Sequence, residues 1–298
     1  MDPSIFKNIK LMIGESKSEV RFGLRTALLA VGFEQIEDTD QVSAIRQTVN
    51  NEGIDLLVCD ARLADGDCSA LIRQIRHLEI GKNPFVNIIT LVSVADEQAV
   101  KSAINSGTDD ILALPVSAAR LLDRIAHLTR ERKPFVVTTD YIGPDRRSGH
   151  RPGTQKIPNI QVPNPLRALA DPQPDREKLK SEIDAMVAVF NNQKIERYAY
   201  QIGFLVERVD RITMAVPDDQ SVRSDLDRLA WVSDDINRRL TGSSFTHWAD
   251  RCRSLANVIA RVRAAEMKPT AADMSELRSL ARVFRPNFEQ PKQLARSA

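Results

Sequence analysis

Asp60 closes the run Leu56-Leu57-Val58-Cys59-Asp60, an apolar stretch ending in a carboxylate. A carboxylate at the end of a buried strand is a candidate for holding a hard cation or accepting a phosphoryl group. The other chemically capable residues are scattered. Cys59, Cys68 and Cys252 lack metal-ligand spacing. His247 is the only histidine of the helical second half. Arg146 and Arg147 end the segment Tyr141-Ile142-Gly143-Pro144-Asp145-Arg146-Arg147, which reads either as a turn at a domain edge or as a docking peptide whose guanidiniums grip acidic groups. Neither 1–130 nor 175–285 contains a phosphate-binding glycine loop or a nucleophile–base pair.

Around Asp60, short apolar segments alternate with amphipathic ones. Strands are expected at 9–13, 34–37, 55–59, 86–91 and 111–114, and helices at 18–31, 41–51, 67–78, 96–106 and 117–129. Strict β/α alternation implies a parallel sheet covered on both faces. Residues 1–135 are therefore expected to form a (βα)5 doubly wound α/β domain, whose site lies at the carboxyl ends of the strands.

Residues 134–174 hold eight of the fifteen prolines. Proline removes a donor and restricts its predecessor, so 136–173 reads as an extended linker. From 174 to 290 the pattern is helical. Ile195, Tyr198, Ile202, Leu205, Val209 and Ile212 follow a 3-4-3-4-3 spacing, and Phe245 to Val262 repeats it. Shorter stripes run from Leu179 to Phe190 and from Met274 to Phe284. Breaks are expected at Asn191-Asn192, Pro217 to Asp219, Thr241 to Ser243 and Lys268 to Thr270, with N-caps at Asp218 and Ser243. Such stripes predict a four- or five-helix all-α bundle, in one chain or shared between two.

Net charge is +2, which gives no general case for nucleic acid. Residues 1–130 carry 14 basic and 18 acidic side chains, and 176–298 carry 21 and 17. Cys59 and Cys252 fit reduced core positions, while Cys68 reads as a surface thiol. No apolar run approaches the roughly 18 residues of a membrane span, and the N-terminal residues lack a signal-peptide apolar region. A cytoplasmic location is expected.

Residues 8–130 resemble the receiver domain of two-component response regulators, particularly single-domain chemotaxis regulators. The likeness rests on Glu15-Ser16 after strand one, Gly32-Phe33 after helix one, and Asp60, with Leu63 and Asp67 following it. Ser106-Gly107, Asp109-Asp110 and Leu114-Pro115 match the approach to the last strand. The resemblance implies a phosphoaccepting Asp60 and a Mg²⁺ held by that carboxylate, an acid after strand one and the backbone carbonyl of Arg62. Ser16 stands where the family has the metal-binding acid, leaving Glu15 beside it to reach a metal through water. Leu114 replaces the lysine that pairs with phosphoryl oxygens, and Ile111 the aromatic switch residue. Val92 stands at the switch Thr/Ser position, with Ser93 and Thr90 available if the register slips. No cofactor beyond Mg²⁺ is implied.

Electrostatic clamps supply most of the catalysis in phosphoryl transfer, so these replacements imply a degenerate receiver. The apolar Val92, Ile111 and Leu114 suit either a constitutive partner surface or simple filling of vacated space. His247 lies outside the Phe245–Trp248–Cys252 stripe and reads as an exposed surface histidine rather than a phosphotransfer one. The arginine-rich helix faces show no helix-turn-helix arrangement. The functional expectation is a non-enzymatic bacterial signalling adaptor that binds other signalling proteins, its bundle either oligomerising or binding partner helices. The alternative is a phosphorylation-responsive regulator whose helical output binds DNA or another signalling protein.

Overall fold

A computed structural model describes residues 3–284, apart from 52, 94, 148–156, 216–219, 242 and 267. The chain divides into two compact units, Met1–Val187 and Ala188–Ala298.

In the first unit, five strands form one parallel sheet: β1 (Lys10–Gly14), β2 (Gln35–Thr39), β3 (Leu56–Asp60), β4 (Asn87–Ser93) and β5 (Asp110–Leu114). Their order is β2-β1-β3-β4-β5. Helices α1 (Ser18–Ala30), α2 (Val42–Asn51), α3 (Cys68–Arg76), α4 (Glu97–Ser106) and α5 (Ala118–Arg130) alternate with them. The central strand β3 is buried through Cys59 because both its faces are covered, as an unbroken apolar run requires. Side-chain caps start three of the helices: Asp67 accepts from Ser69 N, Asp96 from Ala99 N and Ser117 from Arg120 N.

The segment expected to be an extended linker is folded where it is described. β6 (Phe135–Val137) and β7 (Ile142–Pro144) make an antiparallel hairpin, and Phe135 also bridges to Ile160. Proline forbids long elements but permits short ones. Pro144 ends a strand, and Pro165 occupies the first turn of α6 (Pro165–Leu169), capped by Asn164. Leu166 and Leu169 are fully buried. Gly107, at φ +93°, lets the hairpin lie against it: a Cβ there would collide with the Ile142 carbonyl oxygen.

A buried ionic cluster ties this extension to the amino end of the sheet. Asp109 accepts from Arg76 Nη2 at 2.9 Å and from Arg132 Nε at 2.8 Å. Arg76 also donates to the carbonyls of Gly107, Pro84 and Val86, and Arg132 to those of Phe85 and Pro163. The Phe135 ring lies 5.2 and 4.8 Å from the two guanidinium carbons. Burial brings the Arg76 pKa down to about 10, against the opposing pull of Asp109.

α7 (Arg176–Ala215) begins in the first unit, where Arg176 pairs with Asp55 at 2.9 Å, and continues into the second. The break expected at Asn191-Asn192 does not occur. Asn191 is buried and accepts from Arg239 Nη1 at 3.0 Å, so a tertiary partner overrides its weak helix propensity. The remaining helices are α8 (Gln220–Leu240), α9 (Ala249–Ala264) and α10 (Ala271–Phe284). The apolar stripes read from Ile195 onward converge on one core around Trp248, Ile202, Leu229 and Leu277, whereas the Leu179–Phe190 stripe is not part of it. Ser243 caps no helix. Its hydroxyl closes a turn by donating to the Leu240 carbonyl and accepting from Phe245 N. The expected cap at Asp218, the break at Pro217 to Asp219 and the bundle's last residues, 285–290, lie outside the described residues. No helix among the described residues is long and apolar enough to cross a membrane.

Candidate functional site

Strand order reverses between β1 and β3, and the crevice at the carboxyl ends of those strands is where doubly wound sheets place their sites. Both candidate acids lie there. Asp60 is the last residue of β3, half-buried, and Glu15 follows β1 with 2 % of its surface exposed. Glu15 Oε1 accepts from Lys17 N at 2.9 Å, and the Glu15 carbonyl accepts from Arg21 Nη1. Asp60 Oδ1 accepts from Arg62 N at 3.3 Å.

Burial raises the pKa of both carboxyls, and the Asp60 charge raises that of Glu15 further. Backbone amides of Arg62 and Ala61 oppose the shift at Asp60, as Lys17 N does at Glu15. The site is thus two acids whose negative charges are incompletely compensated by the protein.

Ser16 meets the backbone that a metal would need. Its hydroxyl donates to the Arg62 carbonyl at 3.3 Å. That carbonyl, Glu15 and Asp60 are the oxygens a hard cation would find here. Among the described residues no cluster of three acidic, histidine or cysteine side chains could hold a metal ion. Two carboxylates and one shared carbonyl fit a weakly held cation rather than the near-octahedral cage Mg²⁺ favours. Any such ion would neutralise the repulsion between Glu15 and Asp60.

The replaced positions line the β4–β5 side. Val92 is buried in an apolar cluster with Ala61, Ala99 and Ala103, and Ile111 packs against it. Val92 is thus an interior residue, with Ile111 partly buried beside it. Leu114 is half-exposed at the end of β5, opposite Ser93. A register slip does not bring Thr90 to Asp60. Asp60 pairs with Leu91, and the Thr90 hydroxyl is buried against Thr108 at 2.9 Å. Ser93 is exposed at the end of β4.

Two participants were not legible in the sequence. Lys17, exposed at the start of α1, is a cation whose charge lowers the pKa of both Glu15 and Asp60. Its position directly after Glu15-Ser16 is the only signal it left. Asp96, the α4 cap, reaches Arg62 Nη2 at 3.7 Å, so the Arg62 side chain links the loops after β3 and β4.

Other candidates fall elsewhere. Arg146 donates to the Thr108 carbonyl at 2.8 Å. Arg147 grips Asp145 through two hydrogen bonds of 2.8 Å, holding that carboxyl at about 2, and also reaches Asn159. These contacts tie both arginines to the hairpin's surroundings, while both residues remain exposed. Cys68 is a fully buried thiol rather than a surface one, because the loop after Asp60 folds back as a two-residue ladder and starts α3 at Cys68. His247 is exposed in a short 3-10 turn, beside the Phe245 and Trp248 rings.

The sheet order and the two acids at its carboxyl end define a doubly wound α/β domain with an acidic crevice, and similarity to known proteins goes further. Residues 11–126 match the response regulator receiver domain model, and this part of the chain is a receiver domain. Relatives include the transcriptional regulatory protein GltR of Pseudomonas aeruginosa, 32% identical over 121 residues, covering 40% of this chain and 48% of that protein. The phosphate regulon transcriptional regulatory protein PhoB of Escherichia coli is 23% identical over 128 residues, covering 43% and 55%. The chain spans about half the length of these curated relatives. Among solved structures, the receiver domain of a Pseudomonas aeruginosa sensor histidine kinase, with magnesium in its active-site cleft, has a TM-score of 0.36 and 22% identity, covering 40% of this chain and 95% of that one. The helical region carries no family match.

Proposed function

We propose that this protein is a non-enzymatic signalling adaptor. Its receiver domain no longer runs the usual phosphoryl transfer at Asp60, and its helical unit binds other signalling proteins. The observation that carries this reading is the apolar β4–β5 side beside Asp60. Leu114 stands where a charge clamp is required, and Val92 is locked into an aliphatic cluster. Ser16 contributes a hydroxyl already engaged with the Arg62 carbonyl instead of a metal-binding charge. A bound Mg²⁺ would be held by Glu15, Asp60 and that carbonyl, and would serve to neutralise charge.

The test is intact-mass analysis of the full chain incubated with Mg²⁺ and acetyl phosphate. No adduct is expected on the parent. The double variant Ser16→Asp/Leu114→Lys should gain phosphorylation by on the order of 10²-fold, the scale of one restored electrostatic contact. Ready modification of the parent, abolished by Asp60→Asn, would overturn the degenerate reading.

A second reading is favoured by the half-exposed Asp60 retained at the sheet's carboxyl end and by relatives that are named transcriptional regulators. In it, Asp60 is phosphorylated and the helical unit is an output that binds DNA or a further signalling protein. A salt-dependent shift of duplex DNA by the full chain would select that output.

A further inference from the structure

The first turns of α7 belong to the first unit, where they bound a cavity of about 350 Å³ at the amino end of the sheet. Glu15 and Asp60 lie at the opposite end. The volume falls at the lower end of the range for small-molecule sites. Its apolar wall is built from Ile54, just before β3, and from Leu179 and Ile183, one turn apart on α7. Gly81 shapes the mouth. At φ +67° it lets the loop before β4 lie on the end of α2, where a Cβ would collide with Val49. The next residue, Lys82, stands at the rim of the cavity.

The polar lining has its acceptors engaged and its donors left over. Asn50 Oδ1 accepts from Gly81 N at 2.9 Å, and Asn83 Oδ1 accepts from Phe85 N at 2.9 Å. Each amide oxygen is thus held within the chain, and the N–H groups remain. Asp55 is engaged as well: its oxygens accept from Lys10 N and from Arg176. Lys82 and Lys180 are exposed lining residues, and neither makes an ion pair among the described residues. Glu177 and Asp184, about one turn to either side of Lys180 on α7, are the exposed acceptors of the lining.

We propose that this cavity binds a small amphipathic organic anion. Its negative head lies between Lys82 and Lys180, with the Asn50 and Asn83 amides as further donors. Its apolar body rests on Ile54, Leu179 and Ile183, taking their remaining surface out of water. Glu177 and Asp184 repel such a ligand and limit how tightly it is held. An occupant touches both the sheet end and α7, and so stabilises their docking. The site is separate from the acidic crevice and does not depend on whether Asp60 is phosphorylated.

The test titrates anilinonaphthalene sulfonate, an apolar body with one fixed negative charge, into the full chain and follows its fluorescence. Saturable binding and a raised unfolding temperature are expected. The double variant Lys82→Glu/Lys180→Glu should weaken binding about tenfold, since two attractions become repulsions. Both lysines are exposed, so circular dichroism of this variant should match the parent. The double variant Glu177→Gln/Asp184→Asn should change affinity in the opposite direction, tightening it about threefold. Phenylnaphthylamine, the same body without the sulfonate, should bind more weakly and respond to neither variant. Absence of saturable binding by the parent overturns the proposal. So does binding that the lysine variant leaves unchanged, or a neutral probe held as tightly as the anion.

Discussion

At the carboxyl end of the sheet, Glu15 and Asp60 lie in one crevice with Lys17 as a partial counter-charge, and both carboxyls are pushed up. At the amino end, Asp109 sits between Arg76 and Arg132, which also satisfy five backbone carbonyls. The same sheet therefore carries an under-compensated acidic site at one end and a fully partnered buried ion cluster at the other. The difference separates chemistry from structure. Buried charge is kept where every donor and acceptor is met, whereas a binding site retains charge that the fold alone does not neutralise.

Breaking the partnered end should have the largest effect. Asp109→Ala leaves two guanidiniums buried together, and the loss should be roughly 3–5 kcal/mol. Urea unfolding followed by circular dichroism measures it, and a loss no larger than that of a surface substitution would remove the contrast between the two ends. Next, Gly107→Ala forces a left-handed backbone on an L side chain, costing about 1–2 kcal/mol, and drives its Cβ into the hairpin's Ile142 carbonyl. Limited proteolysis should then cut near the hairpin faster than in the parent.

The acidic end should respond more weakly and with the opposite sign. In the folded chain Glu15 holds its proton to higher pH than in the unfolded chain, chiefly because of burial, with Asp60 adding to the effect. Above the ordinary carboxylate range the folded state therefore binds more protons, and stability falls as pH rises through the raised pKa. Glu15→Gln should be more stable than the parent near neutral pH, and the gap should close as pH falls to the ordinary carboxylate range. A gap independent of pH would mean that the charge of Glu15 is not what destabilises the site. Added divalent cation should stabilise the parent more than this variant.

Local pattern carried much of this protein. Leu56 to Asp60 read as a buried strand with a terminal acid because a covered parallel strand is apolar throughout, and the helical stripes of the second unit pointed at their core because helical period and burial share one geometry. The alternation of elements likewise placed Asp60 at the carboxyl end of the sheet. Only the tertiary structure decided the rest, since each remaining feature joins residues far apart in sequence. Arg76, Asp109 and Arg132 look like ordinary surface charges until the fold buries them together. Residues 136–173 looked like a spacer because proline density reports the lack of long elements and cannot report docking. Asn191 looked like a helix break until Arg239, 48 residues away, gave it a partner. Cys68 looked like a loop thiol until the returning ladder enclosed it. Lys17 became the counter-charge of Asp60 only because β1 and β3 are neighbours in the sheet.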